Sequence, residues 1–188
     1  MATTADFKNG LCIDFNGEPF TIVEFQHVKP GKGAAFVRTK LKSLRTGRVI
    51  PNTFNAGVKI DTVRVERRQY QFLYADGDDY HFMNNESFEQ TFLPKSLINA
   101  PEFLKEGTIV EVVTLADTEE PLSCELPTYV DLLITYCEPG EKGNTATNAM
   151  KPATMETGAI VRVPLFITEG EVIRVDTRTG DYSERVKS

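Results

Sequence analysis

Histidine is scarce in this chain: His27 and His81 are the only two, too few and too isolated for most hydrolytic or metal-binding constellations. No His-x-x-x-His, Gly-x-Ser-x-Gly or Gly-x-x-x-x-Gly-Lys-Ser/Thr motif occurs, so none of the familiar hydrolase, zinc or phosphate-loop signatures is present. Cysteine is nearly as rare. Cys12, Cys124 and Cys137 are odd in number and contain no Cys-x-x-Cys pair, which argues against a disulfide framework and a zinc site alike. No apolar run approaches the roughly 20 residues of a membrane-spanning helix. The first six residues have no positive region and no apolar core, so no signal peptide is expected. Together these absences point to a cytoplasmic protein with reduced thiols, no membrane segment and no catalytic site.

A further absence is local. Residues 25–60 contain no Asp or Glu, while Lys29, Lys32, Arg38, Lys40, Lys42, Arg45, Arg48 and Lys59 are all basic. Residues 1–64 carry 10 Lys+Arg against 5 Asp+Glu, residues 65–128 carry 4 against 13, and residues 129–188 carry 7 against 9. The net charge of −6 therefore belongs to the middle third, and the first third is a basic module. A basic face attracts nucleic-acid backbone, and an acidic flank discourages indiscriminate binding elsewhere. The basic run opens with Lys29-Pro30-Gly31-Lys32-Gly33. Pro30 suits the first corner of a tight turn, and Gly31 and Gly33 allow backbone angles closed to other residues. Lys32 is expected at a loop tip, unshielded and aimed at a polyanion. The segment is superficially like a phosphate loop but lacks that loop's upstream glycine and following hydroxyl residue. His27 precedes it and reads either as a residue that orients the loop or as a plain strand residue. Asp76, Asp78 and Asp79 surround Gly77 and read as turn chemistry.

Strand periodicity runs almost throughout. Leu11-Cys12-Ile13-Asp14-Phe15, Asn16-Gly17 and Pro19-Phe20-Thr21-Ile22-Val23-Glu24-Phe25 form a hairpin signal. In the segment from Ala35 to Lys42, apolar residues and cations largely alternate, predicting one buried and one basic face. Tyr70-Gln71-Phe72-Leu73-Tyr74 and Tyr80-His81-Phe82-Met83 flank a second turn. The one helical candidate spans 96–105, with Pro101 interrupting it. Glu106-Gly107-Thr108-Ile109-Val110-Glu111-Val112 aligns with Thr157-Gly158-Ala159-Ile160-Val161-Arg162-Val163 at four identical positions, a spacing that fits two tandem barrels. A polar loop, 139–151, precedes the second copy. The expected architecture is all-β: three small barrels with boundaries near residues 64 and 128, of the kind that includes oligonucleotide-binding barrels.

Residues 26–47, with Lys-Pro-Gly-Lys-Gly at the start and Leu44-Arg45-Thr46-Gly47 at the end, resemble the bacterial elongation factor P family. So do Lys151-Pro152-Ala153-Thr154-Met155-Glu156-Thr157-Gly158, continuing through Val163-Pro164-Leu165 to Gly170, and Asp79-Tyr80-His81-Phe82-Met83-Asn84-Asn85-Glu86 in the middle. The likeness covers essentially the whole chain, in order. It implies an N-terminal SH3-like (KOW-like) barrel over residues 1–64, then two oligonucleotide-binding (OB-fold) barrels over 65–128 and 129–188. Together they would form an L similar to a transfer RNA.

In function, the resemblance implies a monomeric, non-enzymatic factor that binds both ribosomal subunits between the peptidyl and exit tRNA sites. There it would stimulate peptide-bond formation and relieve stalling at consecutive prolines. The family's loop-tip lysine maps to Lys32, with Lys29, Pro30, Gly31 and Gly33 supporting the loop. In many members that lysine is extended by a modifying enzyme, and the eukaryotic relative carries hypusine there. No cofactor is expected beyond such a covalent extension. Arg38, Lys40, Lys42, Arg45 and Arg48 would contact phosphates of ribosomal RNA and peptidyl-tRNA. In the last barrel, Gly143-Asn144-Thr145, Tyr182 and Arg185 map to further contacts, and Asn144 departs from the family's usual Asp. Tyr182 and Arg185 read equally well as strand-end surface residues. The competing reading is a free-standing single-stranded nucleic-acid binder, which expects aromatic platforms on basic strands. Here Tyr70, Phe72, Tyr74, Tyr80 and Phe82 lie in the acidic module instead.

Overall fold

A computed structural model of the protein describes residues 1–140 and 149–187. Their regular structure is almost all strand, with only short 3-10 turns besides, in two compact units: Met1–Arg68 with Val112–Ser123, and Gln69–Glu111 with Cys124–Ser188. No helix among the described residues is long and apolar enough to cross a membrane.

The N-terminal barrel contains β1 (Ala2–Thr3), β2 (Cys12–Phe15), β3 (Glu18–Val28), β4 (Phe36–Ser43), β5 (Val49–Asn55) and β6 (Lys59–Ile60). β2 to β5 form an antiparallel meander, and β1 pairs with β6. The β2–β3 turn is Asn16-Gly17, with both residues in the left-handed region (φ +57° and +81°), as a tight right-twisting hairpin requires. Val37, Thr39, Leu41 and Ser43 of β4 are buried, whereas Arg38 and Lys40 are exposed. That is the alternation expected from the sequence, with the apolar set on the core side. Ile13, Ile22, Val37, Leu41, Phe7 and Ile60 make the core, with Phe15, Phe20 and Phe54 packed around it. The phenyl rings meet edge to face at centroid distances of 5.5 to 5.9 Å, the arrangement ring quadrupoles favour. β5 is an edge strand that includes Pro51, where a missing N–H does no harm.

Two five-stranded sheets follow. The first holds β7 (Val65–Asp76), β8 (Asp79–Asn84), β9 (Gln90–Pro94), β10 (Ile109–Leu115) and β11 (Pro121–Glu125). The second holds β12 (Tyr129–Cys137), β13 (Met150–Met155), β14 (Ile160–Pro164), β15 (Val172–Asp176) and β16 (Asp181–Arg185). Their orders are β11-β10-β7-β8-β9 and β16-β15-β12-β13-β14. Counted within each sheet, both read 5-4-1-2-3. The two sheets therefore share one strand order, but the matched heptads do not occupy equivalent places in it. The strand after Gly107 is fourth in its sheet, and the strand after Gly158 is third in its own. The two matched heptads share a glycine turn running into an apolar strand, and they are not equivalent positions of the repeat.

The helix expected over 96–105 is absent. Two 3-10 turns, Lys95–Leu97 and Pro101–Phe103, stand there, separated by Ala100 at φ +51°. Pro101 cannot donate within a helix and disfavours helical angles in the residue before it, which breaks the segment.

Phe82 on β8 is fully buried, against Phe72 of the central strand β7 at a centroid distance of 5.4 Å. Phe82→Ala is expected to cost about 3–5 kcal/mol, read as a fall in the urea midpoint at constant m-value.

Candidate nucleic-acid interface

β3 and β4 stay paired up to Val28↔Phe36, so residues 29–35 form one loop carried by the two longest strands of the barrel. Lys29, Gly31, Lys32, Gly33 and Ala34 are exposed. Gly33 has φ +107°, and a Cβ placed there would meet Pro30 Cγ at 3.9 Å. Space is ample, and the backbone angle is what demands glycine. Gly31 keeps ordinary angles with open space around it, so of the two glycines only Gly33 uses the special conformation. Between them Lys32 projects from the tip.

The cations that follow separate into two groups. Lys29, Lys32, Lys42 and Arg48 make no side-chain hydrogen bond or ion pair among the described residues, and Arg38 lies over the Phe36 ring at 5.4 Å. These five are available to an anion. Lys40 and Arg45 are already engaged. Lys40 Nζ donates to Glu24 Oε2 at 2.6 Å. Arg45 Nη1 donates to Glu120 Oε1 at 2.8 Å, and its Nε lies 3.0 Å from Glu18 Oε2. The Glu120 hydrogen bond, seconded by charge from both carboxylates, raises the Arg45 pKa above its ordinary value. The run is acid-free along the chain but not in space.

Glu24 was not legible from strand period, because it stands opposite Lys40 only through the register shift between Ile22 and Glu24. Nor was Glu120. It comes from the β10–β11 hairpin, which groups with the N-terminal barrel in the first compact unit. Beneath that ion pair, Leu44, Val113 and Leu122 form a buried cluster with Cys12, Val65 and Leu115 around it. Leu44 and Arg45 thus anchor the β4–β5 turn to the hairpin, one by packing and one by charge.

His27 lies on β3, exposed and edge-on to Phe25 at 5.7 Å; it is a strand residue. Asp76, Asp78 and Asp79 form the β7–β8 turn, as expected. In the last barrel, Gly143, Asn144 and Thr145 lie outside the described residues. Tyr182 on β16 pairs with buried Val175 and is half-buried. Arg185 Nη1 donates to Glu171 Oε1 at 3.0 Å. The Glu171 carboxyl is held below its ordinary value, first by the Thr168 backbone N–H and then by Arg185.

Strand order, loop and charge define a class: an all-β protein with a KOW-like barrel followed by two oligonucleotide-binding barrels. Sequence comparison agrees domain by domain. "Elongation factor P (EF-P) KOW-like domain" matches residues 3–60, "Elongation factor P (EF-P) OB domain" residues 65–123, and "Elongation factor P, C-terminal" residues 130–185. "Elongation factor P" of Azobacteroides pseudotrichonymphae is 63% identical over 187 residues, covering all of both chains. The protein of the same name from Amoebophilus asiaticus is 60% identical over 188 residues, covering 100% of this chain and 99% of that protein. A solved structure, "Eukaryotic translation initiation factor 5A from Methanococcus jannaschii", shares the fold at 23% identity, with a TM-score of 0.51 over 67% of this chain and 90% of that one. The chain belongs to the elongation factor P family and is a translation elongation factor.

The two groups of cations predict opposite behaviour. Arg38→Ala should leave stability unchanged and lower the slope of log affinity against log salt by about one in RNA binding. Arg45→Ala should lower the unfolding free energy by up to about 1 kcal/mol and leave that slope unchanged. Denaturant titration and salt-dependent binding, measured on both variants, check the pair.

Proposed function

We propose that this factor binds the ribosome between the peptidyl and exit tRNA sites and relieves stalling at consecutive prolines through Lys32. The observation that carries the reading is the loop tip itself: an unpaired lysine projected past its supporting strands and flanked by unpaired cations. Proline is a constrained, poor nucleophile, so the reacting ends spend little time aligned. A cationic arm resting against the acceptor end of peptidyl-tRNA restricts it to reactive geometries, which is catalysis by orientation and needs no proton transfer from the protein. The ribosome remains the enzyme.

Lys29, Arg38, Lys42 and Arg48 supply the phosphate contacts that set register with little sequence readout. Lys40 joins them only by leaving Glu24, an exposed pair that is weakly held. A covalent extension of Lys32, installed by a modifying enzyme, lengthens the arm without disturbing the loop, because nothing encloses the tip. The last barrel contributes through Gly143, Asn144 and Thr145 and through β16. Asn144 keeps an acceptor and loses a charge relative to the family's usual Asp, and comparing Asn144→Asp with wild type measures what that substitution does. The factor acts as a monomer in the cytoplasm.

The test is synthesis of a triproline-containing peptide in a reconstituted translation system, using factor purified from its native host. Acceleration should disappear with Lys32→Ala while the folded spectrum is unchanged. A Lys32→Ala variant that accelerates as well as wild type would rule the mechanism out.

A further inference from the structure

The aromatic residues of the acidic middle third have no part in the action proposed for Lys32. Tyr74 on β7, His81 on β8 and Phe92 on β9 are successive partners in the register, Tyr74↔His81 and His81↔Phe92. The Tyr74 and His81 rings stack at 4.4 Å with 16° between their planes, and Phe92 follows at 6.2 Å from His81. Tyr74 is 54% and Phe92 58% exposed. In a regular strand Tyr74 would face inward with buried Phe72. The register shift between them inserts Leu73 as an extra residue and turns Tyr74 outward, the re-aiming that a bulge performs. At the far end of the β8–β9 hairpin, Phe88 is 68% exposed at φ +60°, a conformation a bulky residue adopts at a cost. A bulge and a strained turn both serve to place rings in water.

The surroundings say what these rings face. Residues 69–94 contain no Lys or Arg. Asp76, Asp78 and Asp79 form the turn beside the ladder, and Glu86 and Glu89 lie in the turn at the other end. The outer face of strands two and three is where barrels of this order take oligonucleotides. Here a phosphate backbone would meet five carboxylates, and the cation nearest along the chain is Lys95, whose backbone N–H donates to the Asp78 carbonyl at 2.8 Å. Ring faces attract guanidinium and ammonium groups through their quadrupoles, and the acids at both ends add attraction of the same sign. We propose that the Tyr74–His81–Phe92 ladder is a docking surface for a basic polypeptide segment, with arginine or lysine side chains over the rings and paired to the two acidic turns.

The experiment is a nuclear magnetic resonance titration of the full chain, isotope-labelled, with a short synthetic peptide of alternating arginine and glycine. A parallel titration uses an oligouridylate of similar length. The peptide should shift resonances of Tyr74, His81 and Phe92, and the oligouridylate should leave them in place. Tyr74→Ala and Phe92→Ala, both exposed and neither changing the charge, should each weaken peptide binding about threefold. Glu169→Gln, which removes an exposed acid elsewhere, should change it less than either. Equal effects of all three variants would reduce the attraction to bulk charge and overturn the proposal. So would ladder shifts with oligouridylate, shifts on concentrating the protein alone, or no shifts with peptide. The readout is independent of proline-run synthesis, so failure here leaves the reading of Lys32 untouched.

Discussion

Antiparallel pairing of β3 with β4 is the constraint on which the candidate site rests. Each pair in that ladder places one residue in the barrel core and the next in water. Burying Val37, Thr39 and Leu41 therefore forces Arg38 and Lys40 outward. From Glu24↔Lys40 the ladder runs without a further shift to Val28↔Phe36, so the seven residues of the loop start from a rigid base. The loop needs no contacts of its own to hold Lys32 away from the barrel. It needs a fixed entry, a fixed exit and one residue free to take φ +107°, which are Val28, Phe36 and Gly33. A slip of one residue in this register would bury the cations and expose the core.

Bulges modify that rule at two places, and each reverses a side chain's face. On β3 the register shifts between Ile22 and Glu24. Ile22 stays in the core, and Glu24 turns out beside Lys40, where it neutralises a cation of the basic face. On β7 the shift between Phe72 and Tyr74 does the same for an aromatic ring. The first bulge tempers the basic face of the N-terminal barrel, and the second builds the acidic, ring-bearing surface of the middle sheet. The two faces are opposite in charge, and opposite partners suit them.

Much of this was legible along the chain. The Asn16-Gly17 hairpin, the alternation of β4, the exposed tip at Lys32 and the all-β character follow from neighbours a few residues apart. The failures were of two kinds. Over 96–105, the one helical candidate proved to be two 3-10 turns, separated by a left-handed Ala100 and broken by Pro101. In the repeat, a glycine turn and an apolar strand matched at non-equivalent places, because short segments with the same local duty converge on the same residues. What the two sheets do share, the 5-4-1-2-3 order, concerns pairing between distant strands and leaves little trace in any single heptad.

The candidate site divides along the same line. The sequence by itself determined the family, the strand faces and the loop that presents Lys32, because these depend on side-chain period and turn chemistry. Only the tertiary structure decided which cations are free. Arg45 is held by Glu120, a residue distant in the chain that the β10–β11 hairpin brings to it, and Lys40 is held by a glutamate that a bulge turned outward. It also decided that Tyr74 faces water, since a single inserted residue inverts what period-two counting predicts. Register and long-range contact are set by the packing of whole sheets, and no local pattern encodes them.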